Sequence, residues 1–114
     1  MGKSSLVKGK VGEREVAAEL RRLFGIEARR GVQYSGSPNS PDVIADIQGV
    51  HIEVKRCERL SLYPAMRQAS GDAGDKTPIV FHRANHHEWL AIIRLDDLPE
   101  LVNRLSVLKE SDGE

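Results

Sequence analysis

Two short β-rich runs, DVIADI at 42–47 and VHIEVK at 50–55, stand on either side of Gln48 and Gly49, and this spacing predicts a hairpin with a tight turn. Side chains alternate along a strand, so Val50, Ile52 and Val54 point to one face while His51, Glu53 and Lys55 share the other. Strands of this length, once paired, bring Asp42 near Glu53 across the ladder. Two carboxylates and an ammonium then converge at one end of a sheet. Carboxylates that close repel, and a divalent cation relieves the repulsion. Mg2+ suits such a site, because it takes a few carboxylate oxygens and keeps waters and positions open to a phosphate; Mn2+ is expected to substitute.

The chemistry this arrangement supports is in-line attack of water on a phosphodiester. The metal polarises the phosphoryl oxygen and lowers the pKa of a bound water, and Lys55 orients that water and stabilises the developing charge. Taken alone, an acid and a lysine two apart on a strand are ordinarily a solvated face, and an aspartate after a proline is ordinarily a turn residue. Their conjunction in strand, turn, strand order, below a helix with a misplaced carboxylate, is what turns them into candidates.

That helix is predicted from Lys8 to Phe24, where Val16, Ala17, Leu20, Leu23 and Phe24 recur at helical spacing until Gly25 stops it. At 100° per residue Glu13 falls within the apolar stripe, where a carboxylate is costly unless compensated. Its place in the first turn, where a helix N-terminus favours anions, is the plainer explanation. Downstream, IEARRGVQY reads as extended and SGSPNSP as a loop. Leu60 to about Ala73 is a weaker helix candidate, on which Tyr63 and Gln68 read as ordinary surface. TPIVFH and EWLAIIRL read as two strands joined by RANHH. Asp97 and Glu100 resemble a helix cap ahead of a stripe of Leu98, Leu101, Val102, Leu105 and Leu108.

A chain of 114 residues holds one compact domain. It is expected over 1–110, with 111–114 as a frayed tail. No long apolar stretch and no apolar run of signal-peptide length occurs, so neither a membrane nor export is expected, and the default compartment is cytoplasmic. The single cysteine, Cys57, suits a reducing compartment and makes no zinc knuckle. His82, His86 and His87 lie within six positions and raise a zinc reading, but no cysteine completes a ligand set, and a solvated connection is the simpler expectation. Trp89 is a core or interface residue.

A formal net charge of zero argues at first against a polyanionic partner. The average hides a gradient. Lys3, Lys8, Lys10, Arg14, Arg21, Arg22, Arg29 and Arg30 face only Glu13, Glu15, Glu19 and Glu27 in the front of the chain, whereas from Asp96 onward six acids face Arg104 and Lys109. A basic front fits a DNA-facing surface, with Lys8 and Lys10 as candidate contacts, and a randomly mixed surface is the alternative.

The motifs KGKVGERE (Lys8 to Glu15), PD (Pro41-Asp42) and EVK (Glu53 to Lys55), followed by the FH and EWLAII strands, resemble the PD-(D/E)XK nuclease superfamily. Within it they are similar to archaeal-type Holliday junction resolvases and related phage endonucleases. The resemblance covers most of the chain. It implies an α/β fold of the restriction-endonuclease type, a mixed central β-sheet flanked by helices. It implies Glu13, Asp42 and Glu53 as metal ligands, Lys55 as the catalytic lysine, and Ser35 and Ser37 as residues of the loop near the scissile phosphate. The expected activity is that of a Mg2+-dependent endodeoxyribonuclease without a small-molecule cofactor. Branched DNA is the narrower expectation for its substrate, and a homodimer is implied by the resemblance alone. The alternatives are a nuclease of ordinary duplex, nicking or restriction-type, and a catalytically silent DNA-binding subunit. The chain departs from the resolvases in its neutral charge and in the segment after Arg56.

Overall fold

In the computed structural model, the backbone of residues 2–31 and 40–112 and the side chains of 8–31 and 40–108 are described. Ser35 and Ser37 lie outside the described residues, as do 113 and 114 of the expected tail.

The chain opens with a long helix, α1 (Gly2–Phe24), which begins ahead of the predicted Lys8 and ends where Gly25 takes a φ of 65°. The Gly25 N–H closes the last turn on the Arg21 carbonyl at 2.9 Å, in the left-handed conformation that only glycine adopts without strain. Three short strands follow. These are β1 (Ala28–Arg30), β2 (Val43–Ala45) and β3 (Val50–Arg56). Helix α2 (Leu62–Ala73) then crosses to β4 (Thr77–Arg83), which turns back into β5 (Leu90–Ile92). A 3-10 turn at Leu95–Asp97 leads into α3 (Leu98–Asp112).

The five strands lie in sequence order, antiparallel except for the β3–β4 pair, which is parallel and joined by α2. A parallel pair needs such a crossover, and the helix it places on the sheet buries the second face of the central strand. Helix α1 covers the first face: Val16, Ala17 and Leu20 pack against Ala28, Val43, Ile52 and Val54. On the other face Met66 and Ala69 of α2 meet Val80. His51 through Val54 are consequently all buried, although only alternate residues in that run are apolar.

The β2–β3 connection differs from the tight turn that the spacing suggests. β2 stops at Ala45, the Ile47 N–H folds back onto the Ala45 carbonyl at 2.8 Å, and Asp46 to Gly49 form the connection. Val43 pairs with Ile52 in this register. A turn of Gln48 and Gly49 alone would have set Ala45 against Ile52 and Asp42 against Lys55. Gly49 has a φ of 78°, and Arg104 of α3 lies directly over it, its Nη1 donating to the Gln48 carbonyl at 3.1 Å.

At the other end of the chain, Asp97 closes the 3-10 turn, and its Oδ2 accepts from Arg94 Nε at 2.7 Å. Leu101 is the buried residue of the α3 stripe, while Leu98 and Val102 remain exposed. Among the described residues, no helix is long and apolar enough to cross a membrane.

Helix α1 packs tightly on the sheet at Gly12. A Cβ there would sit 2.9 Å from the Cβ of Arg56 and 3.4 Å from the ring of Trp89, whereas a Cβ at Gly9 meets nothing within 4 Å. Alanine at Gly9 is expected to raise stability by about 0.5–1 kcal/mol, the helix-propensity gain. Alanine at Gly12 forfeits that gain to overpacking and is expected to cost about 1 kcal/mol net. Urea denaturation of the two variants checks this, with midpoints expected to move in opposite directions.

Candidate metal-binding active site

Asp42 sits one residue before β2 and is held on three sides. Its N–H donates to the Ile52 carbonyl at 2.9 Å, its carbonyl accepts from the Gly31 N–H at 2.8 Å, and its Oδ2 accepts from the Val54 N–H at 2.8 Å. Extending the Val43–Ile52 register by one residue sets Asp42 opposite Glu53, and the two carboxyl groups share a hydrogen bond. Such a bond between two carboxyls requires a proton on one of them. Burial, opposed by the Val54 N–H and reinforced by the charges of Glu53 and Glu13, pushes the Asp42 carboxyl from 3.8 up to about 7.

Glu53 goes the other way. Burial works against its charge, but hydrogen bonds from His51 and with Asp42, together with the charges of His51 and Lys55, outweigh it and hold the carboxyl below its ordinary value. His51 Nε2 lies 2.8 Å from Glu53 Oε1, and both side chains are buried. Lys55, two residues on and on the same face, reaches α2, where its Nζ donates to Gln68 Oε1 at 3.3 Å.

Glu13 has a different immediate partner. It lies on the sheet-facing side of α1 and its Oε1 accepts from Arg30 Nε at 2.6 Å, while its charge contributes to the shift of Asp42. Glu13, Asp42 and Glu53 are therefore neighbours in one field, although they are not gathered as tightly as a first coordination sphere. Among the described residues, the one group of three His, Cys, Asp or Glu side chains whose ligand atoms all lie within 4.8 Å of one another is His51, Glu53 and Asp72. Lys8 is half-buried and Lys10 exposed on α1. His82 is occupied elsewhere, its Nε2 donating to the Cys57 carbonyl at 2.8 Å, and His86 takes a φ of 64° in the β4–β5 turn.

The donor set suits a divalent cation. An acid pair with one member held protonated near neutrality is a place where a cation displaces a proton and removes the repulsion in one step. The fold and this cluster of acidic and histidine side chains are together compatible with divalent-metal binding.

No protein-family model matches the chain, and no curated protein sequence does. Solved structures do. The chain is similar to Hjc of Archaeoglobus fulgidus, a Holliday junction resolvase from an archaeal hyperthermophile, with 26% identity and a TM-score of 0.55 over 75% of this chain and 72% of that one. The fold is resolvase-like. This similarity supports the resemblance to the PD-(D/E)XK superfamily and singles out no member of it.

His51, Asp72 and Arg30 were not distinguished by sequence pattern. His51 was legible only as a residue on the Glu53 face; its contact with Glu53 follows from the i, i+2 spacing on a strand that α2 seals from water. No signal in the sequence marks Asp72, because its approach depends on how α2 lies across β3.

The Asp42 shift carries a pH dependence. Its folded-state pKa of about 7 stands above the unfolded value of 3.8, so between those values the native state holds a proton that the unfolded chain has released. Stability contributed by this group is therefore lost as pH rises from about 4 to about 7. Asp42→Asn mimics the protonated form and keeps an acceptor for the Val54 N–H. In metal-free buffer the melting temperature of wild type is expected to fall relative to Asp42→Asn by several degrees across that interval. Excess Mg2+ at pH 8 is expected to close the gap; parallel pH profiles would contradict the assignment.

Proposed function

We propose that this chain is a metal-dependent endodeoxyribonuclease that hydrolyses DNA phosphodiesters, with branched DNA of the Holliday-junction kind as its preferred substrate. The observation that carries the reading is the pairing of half-buried Asp42 with buried Glu53, with Lys55 on the same face, on a resolvase-like fold. In this reading Asp42 and Glu53 hold the ion, and Glu13 joins them by giving up Arg30. Mg2+ is the cation proposed, and Mn2+ substitutes for it. When bound, the ion supplies Lewis acidity toward a phosphoryl oxygen and a water of lowered pKa.

The chain's own groups do the rest. Gln68 steadies the Lys55 ammonium, which is the nearest cation on the Glu53 face for charge developing on the phosphoryl oxygens. The carboxylates would hold the ion, Lys55 orients the attacking water, and the proton of that water passes to solvent. Water oxygen bonds to phosphorus as one ester oxygen departs with a proton, and no covalent enzyme adduct forms. Lys8 and Lys10 on α1 and Ser35 and Ser37 ahead of Asp42 are the proposed DNA contacts. A homodimer is proposed as the working unit, and the exposed Leu90, Leu95, Val102 and Val107 offer apolar surface for it.

The test is incubation with Mg2+ and a four-way junction, a linear duplex or a single strand, alongside Lys55→Ala and Asp42→Asn. Wild type is expected to make symmetric cuts in the junction, and each variant to lose activity by about 100-fold or more. Chelation with EDTA should abolish cutting. Comparable cutting of linear duplex would point to a general duplex nuclease, and binding without cutting to a silent DNA-binding subunit. Equal activity of wild type and both variants would remove the site assignment.

A further inference from the structure

Helix α2 ends beside the candidate site with a carboxylate in an unfavourable place. Asp72 occupies its last turn, which carries no basic residue, and the negative end of a helix disfavours an anion there. Asp72 is half-buried and, among the described residues, has no hydrogen-bond or ion-pair partner. Instead it faces Glu53 and His51, both of them on the sealed side of β3, with ligand atoms of all three within 4.8 Å. Two carboxylates and a buried imidazole converge there.

We propose that His51, Glu53 and Asp72 form a nitrogen-containing cation position on the α2 side of β3, selective for a first-row transition-metal dication over Mg2+, with Glu53 shared between this position and Asp42. Neighbouring ligands around one octahedral ion with bonds of about 2.1 Å lie about 3 Å apart, and His51 Nε2 to Glu53 Oε1 is 2.8 Å. The imidazole decides the selectivity. A nitrogen ligand suits Mn2+, Fe2+ or Zn2+, whereas Mg2+ is a hard cation that keeps to oxygen and water. On ligation by Nε2 the ring carries its proton on Nδ1, and the ion takes the place of the Nε2–Glu53 hydrogen bond. Asp72 supplies the second negative charge, and the ion in turn relieves its placement at the helix end. The inference deepens the metal-dependent reading of the site and rests on it only for what the ion would do in cleavage.

Mn2+ is the probe, added to the metal-free full chain without DNA. Electron spin echo modulation is expected to show coupling to 14N of a ligated imidazole in wild type and to lose it in His51→Gln. Asp72→Asn, a conservative change at a half-buried helix end, is expected to weaken Mn2+ binding by about tenfold or more. Mg2+ affinity, read by competition, should respond far less in both variants. Persistence of the 14N coupling in His51→Gln, which would assign it to another histidine, overturns the proposal. So does unchanged Mn2+ affinity in Asp72→Asn, which remains readable if the buried His51 variant does not fold. A chain that binds Mn2+ through His51 and cuts no DNA contradicts the nuclease reading alone. One that cuts with Mg2+ and binds Mn2+ without nitrogen coupling contradicts this inference alone.

Discussion

The antiparallel register of β2 on β3, in which Val43 faces Ile52, decides what every polar side chain near the candidate site can touch. It sends Val43 and Ile52 into the core beneath α1 and leaves Asp42 opposite Glu53. A slip of one residue would invert the faces, and the hydrophobic cost of exposing Val43, Ile52 and Val54 guards against it. A slip of two would keep the faces but set Asp42 against Lys55, converting a repelling acid pair into an ion pair. The four-residue connection, with Gly49 in the left-handed region beneath Arg104, is what excludes that alternative. Asp42 itself reinforces the register by accepting the Val54 N–H at 2.8 Å.

From that register the electrostatics follow. α1 and α2 seal both faces of β3, so the carboxyl groups of Asp42 and Glu53 meet with little water between them, and burial raises the cost of charging both. The pair responds asymmetrically. Glu53 keeps its charge because His51 bonds to it and Lys55 lies two residues away, and Asp42 takes the proton. A fold that spends stability holding a carboxyl protonated near neutrality just ahead of β2 offers a cation something to replace. This links the packing of two helices to the chemistry proposed for the site.

Much of this was legible in the residues, and the limits have physical causes. The alternation in VHIEVK assigns Glu53 and Lys55 to one face, and periodicity places Glu13 on the sheet side of α1. Neither depends on long-range packing. The similarity to a resolvase structure agrees with the α/β fold that the motifs implied. The extent of β2 was not legible, because DVIADI is β-rich to its end while only Val43 to Ala45 pair. Glu13 was expected beside the metal, and its nearest cation in the structure is Arg30, whose approach depends on the angle of α1 across β1. Asp72 lies on a helix that sequence pattern supports only weakly. A site assembled across elements cannot be read from spacing within any one of them.

The central claim is that Asp42 and Glu53 form an acid pair arranged to exchange a proton for a divalent cation. Its most direct test is the titration of the Asp42 side-chain carboxyl by 13C NMR in metal-free protein and again with saturating Mg2+. A midpoint of about 7 without metal, moving below the ordinary aspartate range when Mg2+ is added, is the predicted result. An Asp42 that titrates near 3.8 in both conditions would contradict the account.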